Sequence, residues 1–498
     1  VPQRETVLLL LVSLFALVGR EAAATTWHVY PDGSGHLHSI QDALNEASAG
    51  DTVEVHCGTL HEHDITLKSG VTVKSSTGDP DCVTVDAQGH SWVFRGTNLE
   101  AGSVLLGLTI ANGYVSGQAG AALRLTGSSL RIEACRFLDN VAHGSGARGG
   151  ALEAVQSDPT VVDCEFRTNR AWVTGGAVVL ESCPAATFED CFFFLNEARS
   201  GGALYALDSS VSVDDCLFAG NDAEDEGGAA FLESGSVEIM RSSFVTNTAD
   251  DRGGAIAAPA GSDGMFEDCL FENNQAVSSG AALSWFGGTV SFGATEFRLN
   301  STPNLGACLH VSGGSEVSFA GCRFVYNEAN WGTCVYARDG VSLGMSGCVA
   351  FRNESINEGS FVRLYGSDGI VESCTVADDT RGTNVIGPFD STLLLRNSII
   401  AGCTGLAVGC SGASPLVSVS CTDLSGNAGG DWIGCVAPFA DMNGNLSVDP
   451  AFCDPGGGFY SLAEDSPCAP ANSPGDCGLI GALGVGCGPI HVEPMSWG

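Results

Sequence analysis

The chain has 498 residues, a formal net charge of −37 and only two lysines, Lys68 and Lys74. Its 67 glycines are roughly twice ordinary usage, and 21 cysteines are many for this length. So acidic a chain repels phosphate, which excludes nucleic acid as a partner, while 44% hydrophobic residues are enough to bury a large core.

Residues 1–24 predict a signal peptide: Arg4 is a thin basic lead, Val7 to Val18 is apolar but for Ser13, and Ala22-Ala23-Ala24 offers a cleavage site. No later run is long enough to span a bilayer. The expected destination is outside the cell or at its surface or outer membrane. Disulfides form there, and Cys57 with Cys82 is the expected N-terminal pair. Further pairs are expected among Cys403, Cys410, Cys421, Cys435, Cys453, Cys468, Cys477 and Cys487. An odd total leaves at least one thiol unpaired.

Residues 25–52 read as an N-terminal cap. Ser39 is a helix N-cap, and Ile40, Ala43, Leu44 and Ala47 follow at helical spacing. Thr52 to Val55 is the expected first strand. Residues 53–402 carry the dominant signal, a repeat. Gly-Gly-Ala-Leu-like blocks start at Gly149, Gly175, Gly201, Gly227 and Gly253, with looser copies at Gly120, Gly280, Gly306, Gly332 and Gly359, about 26 residues apart. Between them runs Cys-x-Phe-x-x-Asn, as in Cys164/Phe166/Asn169, with Ser242 and Thr295 replacing cysteine in two copies.

Short alternating runs such as Val161-Val162-Asp163-Cys164-Glu165-Phe166, broken by Gly, Ser, Asp and Asn, predict strands and turns rather than helices. Three strands and three turns fill one such repeat, the coil of an all-β, single-stranded parallel β-helix. Coils stacked at about 4.8 Å turn every repeat position into a ladder. Phenylalanine stacks on phenylalanine, and eight cysteines (135, 164, 191, 216, 269, 322, 348 and 374) form an interior column of small hydrophobes. Asn140, Asn169, Asn196, Asn221, Asn247, Asn274, Asn300, Asn327 and Asn353 form a structural ladder that bonds turn backbone. A leucine-rich repeat fits less well, since leucine does not dominate and the Gly-Gly-Ala strand stands where a helix belongs. Residues 403–498 predict degenerate coils and a Cys-rich C-terminal cap.

The Gly-Gly-Ala-[Leu/Val/Ile] and Phe-x-x-Asn blocks resemble the repeat of the polymorphic outer-membrane protein family. The whole chain is similar to secreted right-handed parallel β-helix proteins of the pectin-lyase-like superfamily, as is the opening Trp27 to Gly35 with Ser39 to Ala43. The resemblance implies the fold and leaves the activity open.

Four groups of residues offer chemistry. Asp163, Asp190 and Asp215 precede ladder cysteines and are expected to stack outward; a Ca²⁺ site is the functional reading and a solvated acidic ridge the alternative. His56, Cys57, His61 and His63 suggest zinc, against which Cys57 has its disulfide partner. Asp441 to Asn445 faintly resembles a Ca²⁺ loop without its closing glutamate. Asp378-Asp379 offers paired carboxylates, but Asp379 falls on the asparagine ladder. No cofactor is required, with Ca²⁺ the one candidate ion, and no catalytic residue is assigned. The expected function is an exported monomeric scaffold contacting an extracellular glycan or surface protein. The alternative is a polysaccharide lyase or glycoside hydrolase on the same fold.

Overall fold

A computed structural model describes residues 24–487; the expected leader lies outside them but for Ala24. One strand ladder holds 15 parallel strands, one per coil, from Gly58–Leu60 to Asp423–Ser425. The solenoid therefore has about 15 turns, and equivalent residues of successive coils are directly paired, as Phe166 with Phe193 and Phe193 with Phe218.

The coil from Gly175 to Ser200 is representative. It contains four short strands rather than the three expected: Val178–Glu181, Ala186–Glu189, Phe192–Phe194 and Glu197–Ser200. Each corner is made by one residue in the left-handed conformation, namely Gly175, Ser182, Asp190 and Leu195. A single left-handed residue between extended neighbours turns the chain sharply. Glycine accepts this conformation freely, and aspartate, asparagine and serine supply polar side chains suited to turns. The second glycine of each pair answers a different need. A Cβ on Gly176 would lie 2.1 Å from the carbonyl oxygen of Gly202 on the next coil.

Behind three of these corners stands an inward residue whose backbone N–H has no strand partner. A side chain from the next coil supplies the acceptor. Cys183 N–H donates to Ser209 Oγ at 3.0 Å, Cys191 N–H to Cys216 Sγ at 3.3 Å, and Asn196 N–H to Asn221 Oδ1 at 3.1 Å. The cysteine column is therefore more than hydrophobic filling. Cys216 N–H donates to Ser242 Oγ and Cys269 N–H to Thr295 Oγ1, so the hydroxyl replacements preserve a hydrogen-bond acceptor. The asparagine ladder adds amide-to-amide bonds: Asn221 Nδ2 donates to Phe193 O at 2.9 Å and to Asn247 Oδ1 at 3.0 Å. All nine predicted asparagines are buried.

Eight phenylalanines from Phe137 to Phe324 stack through the core, their centroids 4.4 to 5.2 Å apart between successive coils. Helix α1 (Ile40–Glu46) closes the N-terminal end. Ser39 Oγ accepts the Asp42 N–H, and Ile40, Ala43 and Leu44 are buried. Glu62 accepts the N–H groups of Ile40 and Gln41, each at 2.8 Å. The first strand is Thr26–Val29, ahead of Thr52–Val55, with which it pairs in parallel.

Coils continue past residue 403 to Leu416–Ser420 and Asp423–Ser425. The remaining chain does more than cover the open end. Its hairpin, Phe452–Asp454 with Phe459–Leu462, lies back along the solenoid wall, where Tyr460 packs on Phe351 and Gly481 N–H donates to Asn397 O. Disulfides join Cys57 to Cys82, Cys410 to Cys435, Cys421 to Cys477 and Cys453 to Cys487. The other thirteen cysteines are free and buried, including Cys308, Cys334, Cys403 and Cys468.

Candidate functional site

Small outward side chains hollow the second strand of each coil between residues 185 and 291. Thr187, Ser212, Glu238, Met265 and Ser291 form one row in register. Ser210, Ser236 and Asp263 form a second row, which Thr289 extends by donating its N–H and hydroxyl to Asp263 Oδ1 at 2.9 and 2.7 Å. Those two bonds hold the Asp263 carboxyl below its usual range. The resulting open groove has a volume of about 450 Å³. It presents the hydroxyls of Thr187, Ser210, Ser212, Ser236, Thr289 and Ser291, of which Ser236 donates to Ser210 at 3.1 Å, with two carboxylates and the exposed side chain of Met265.

A second cleft of about 450 Å³ lies where the C-terminal cap meets the last coils and includes Asp378, Asp431 and Asp449. Each carboxylate accepts at least one hydrogen bond, and Asp449 uses only Oδ1. Asp378 accepts the Tyr460 hydroxyl at 2.8 Å, Asp431 accepts two backbone N–H groups and the Asn427 amide, and Asp449 accepts Ala451 N–H. Asp379 stands on the asparagine ladder, accepting Asn353 N–H at 2.8 Å. Burial drives its pKa up to about 7, and its Oδ2 has no partner. Asp423 is also buried and pushed up to about 6 by desolvation.

A row that the sequence reading missed follows the Gly-Gly-Ala blocks: Glu153, Val179, Tyr205, Phe231, Ala257, Ser284, His310, Tyr336 and Arg363 lie in register. They point away from the main core, yet most are buried. The signal was present as the column after each block's fourth residue. Glu153 sits between Arg124, at 2.8 Å, and Arg148, at 3.4 Å. Burial nevertheless leaves its carboxyl above the usual range, the two arginines only partly offsetting desolvation. His310 is held down to about 4 by burial, and its Nε2 lacks a partner among protein atoms.

Asp163, Asp190 and Asp215 all occupy the left-handed corner before the cysteine column. Ala134, Arg241, Asp268, Ala294 and Ser373 occupy the same corner in other coils, so the position is set by conformation. Arg241 donates to Asp215 at 2.9 Å and also to Asp214. The three aspartates do not converge on one point among the described residues. The zinc reading of His56, Cys57, His61 and His63 fails on geometry: Cys57 is in a disulfide, His61 faces Asp86 at 3.7 Å and His63 faces Asp64 at 2.7 Å. His56 instead meets His28 and Glu54. The Asp441 to Asn445 segment is structural, with Asn445 Oδ1 accepting Thr422 N–H.

Residues 68–218 match a family model described as right-handed β-helix region. Curated protein sequences give no match. Solved structures similar to this chain include pectate lyase Pel9A, at 11% identity over 93% of this chain and 97% of that one, TM-score 0.24. A mannuronic acid specific polysaccharide family 6 lyase enzyme from human gut microbiota is 12% identical over 85% and 91%, TM-score 0.29. The PL6 family alginate lyase AlyGC is 9% identical over 85% and 100%, TM-score 0.22. Similarity at this level transfers no residue role. The chain is an all-β, right-handed parallel β-helix.

Proposed function

We propose that this chain is an exported β-helix that binds an extended neutral glycan along the groove between residues 185 and 291. The groove carries the reading: hydroxyls from four of five successive strands, beside the exposed Met265 side chain, match the donors, acceptors and C–H faces of a sugar chain. Its only charges are Glu238 and Asp263, and the whole chain is strongly acidic, so a polyuronate is repelled. Four disulfides and the predicted leader support an extracellular setting.

Affinity electrophoresis against neutral and uronic polysaccharides tests this. Retardation by a neutral polymer, lost when Ser212→Trp and Ser291→Trp fill the groove, is expected. Equal retardation of the filled variant overturns the reading. A catalytic alternative rests on the three carboxylates of the cap cleft, Asp378, Asp431 and Asp449. It requires polysaccharide turnover that Asp449→Asn abolishes while groove filling leaves glycan hydrolysis or elimination in place.

A further inference from the structure

Strands Thr26–Val29 and Thr52–Val55 set His28 opposite Glu54. His56 lies two residues beyond Glu54, so strand alternation keeps it on the same outer face. Their ligand atoms all lie within 4.8 Å of one another. His28 Nδ1 is 3.3 Å from His56 Nε2 and 3.4 Å from Glu54 Oε1. One ring nitrogen thus faces two partners, and a single proton on it cannot point well at both. A cation among the three atoms satisfies all of them. Bonds of about 2.0–2.1 Å from zinc to nitrogen or oxygen give tetrahedral edges of about 3.3–3.4 Å, and two of the three edges already have that length.

The surroundings fix the same geometry. The Tyr30 ring stacks on His56 at 4.1 Å and 11°, holding the imidazole plane. Lys74 Nζ lies 3.0 Å from Glu54 Oε2, which orients the carboxylate and leaves Oε1 for an ion. Two imidazoles and one carboxylate, with His28 exposed, leave a fourth position for water. Such a donor set suits zinc-class cations better than Ca²⁺, which takes six to eight oxygens. We propose that His28, Glu54 and His56 bind Zn²⁺ and thereby clip the edge strand Thr26–Val29 to the coil behind it. The Cys57–Cys82 disulfide ties that coil to the next one.

Titration calorimetry of the full chain with Zn²⁺ alone, disulfides intact, reads the site directly. One ion per chain is expected. His28→Asn and His56→Asn should each weaken binding at least about tenfold, while His61→Asn and His63→Asn leave it unchanged. All four side chains are exposed or half-buried, and circular dichroism checks that each variant is folded. Zn²⁺ should also slow amide exchange across Thr26–Val29. Failure to bind below about 1 mM Zn²⁺, or equal weakening by the His61 and His63 variants, overturns the site. Uptake without protection of Thr26–Val29 overturns the clip.

Discussion

Asp379 ends the ladder that nine asparagines build, one coil beyond Asn353. An asparagine there would keep the acceptor for Asn353 N–H and present an amide where the carboxyl now leaves Oδ2 unpartnered. Burial raises the folded pKa to about 7 from an ordinary value of 3.8. The folded state therefore holds its proton longer than the unfolded state does. The site costs nothing below about pH 4, costs progressively more as pH rises towards 7, and levels off above that. Asp379→Asn should remove this dependence and stabilise the protein at pH 8 by on the order of 4 kcal/mol. Urea unfolding of both proteins at pH 4 and pH 8 measures it. Equal gains at both pH values would sink the account.

At the scale of the element, the unit is the corner. A left-handed residue turns the chain, and the next residue's N–H takes an acceptor from the coil above. This explains why cysteine, serine and threonine share one column: all three offer an acceptor in a small side chain. Cys216→Ser should therefore change stability by less than about 1 kcal/mol. Cys216→Val, which keeps the apolar bulk but removes the acceptor for Cys191 N–H, should cost about 1–3 kcal/mol. Denaturant midpoints of the two variants decide between acceptor and filler; a valine as good as serine would restore the purely hydrophobic reading. That reading was the one drawn from sequence, because Cys-x-Phe looks like an inward pair. Only the geometry of the corner reveals the orphan amide.

For the whole molecule, the covalent and non-covalent supports are segregated. Every disulfide lies near an end, between Cys57 and Cys82 or beyond Cys410, while the coils between hold free, buried thiols. A solenoid needs this, since inner coils are stacked on both sides and end coils on one. Burial drives the Cys269 thiol up to about 12, and shielded thiols of this kind are inert. A thiol reagent should find none of the thirteen free cysteines in the native protein and all thirteen in denaturant. Mild reduction should speed amide exchange at the two ends and leave coils 135–374 protected. Rapid labelling of the native middle coils would contradict this architecture.

Charge follows the same logic. Most described arginines pair with a carboxylate, several directly across neighbouring coils, as Arg170 with Glu197 and Arg298 with Glu272. Translation by one coil would otherwise stack like charges about 4.8 Å apart.

The amino-acid sequence alone determined the parallel β-helix, its period, its inward phenylalanines and asparagines, the capping helix and the Cys57–Cys82 bond, but not the fourth strand of the coil. Stacking in register repeats each local preference at every coil, so weak signals add. Tertiary structure alone decided what the outer surface does. It set His28 against Glu54 and His56, separated His61 and His63 from them, hollowed the hydroxyl groove and folded the C-terminal hairpin back along the wall. Outward residues meet by coil length and strand register, and the C-terminal segment does not repeat. Neither property is written in the spacing of any one motif.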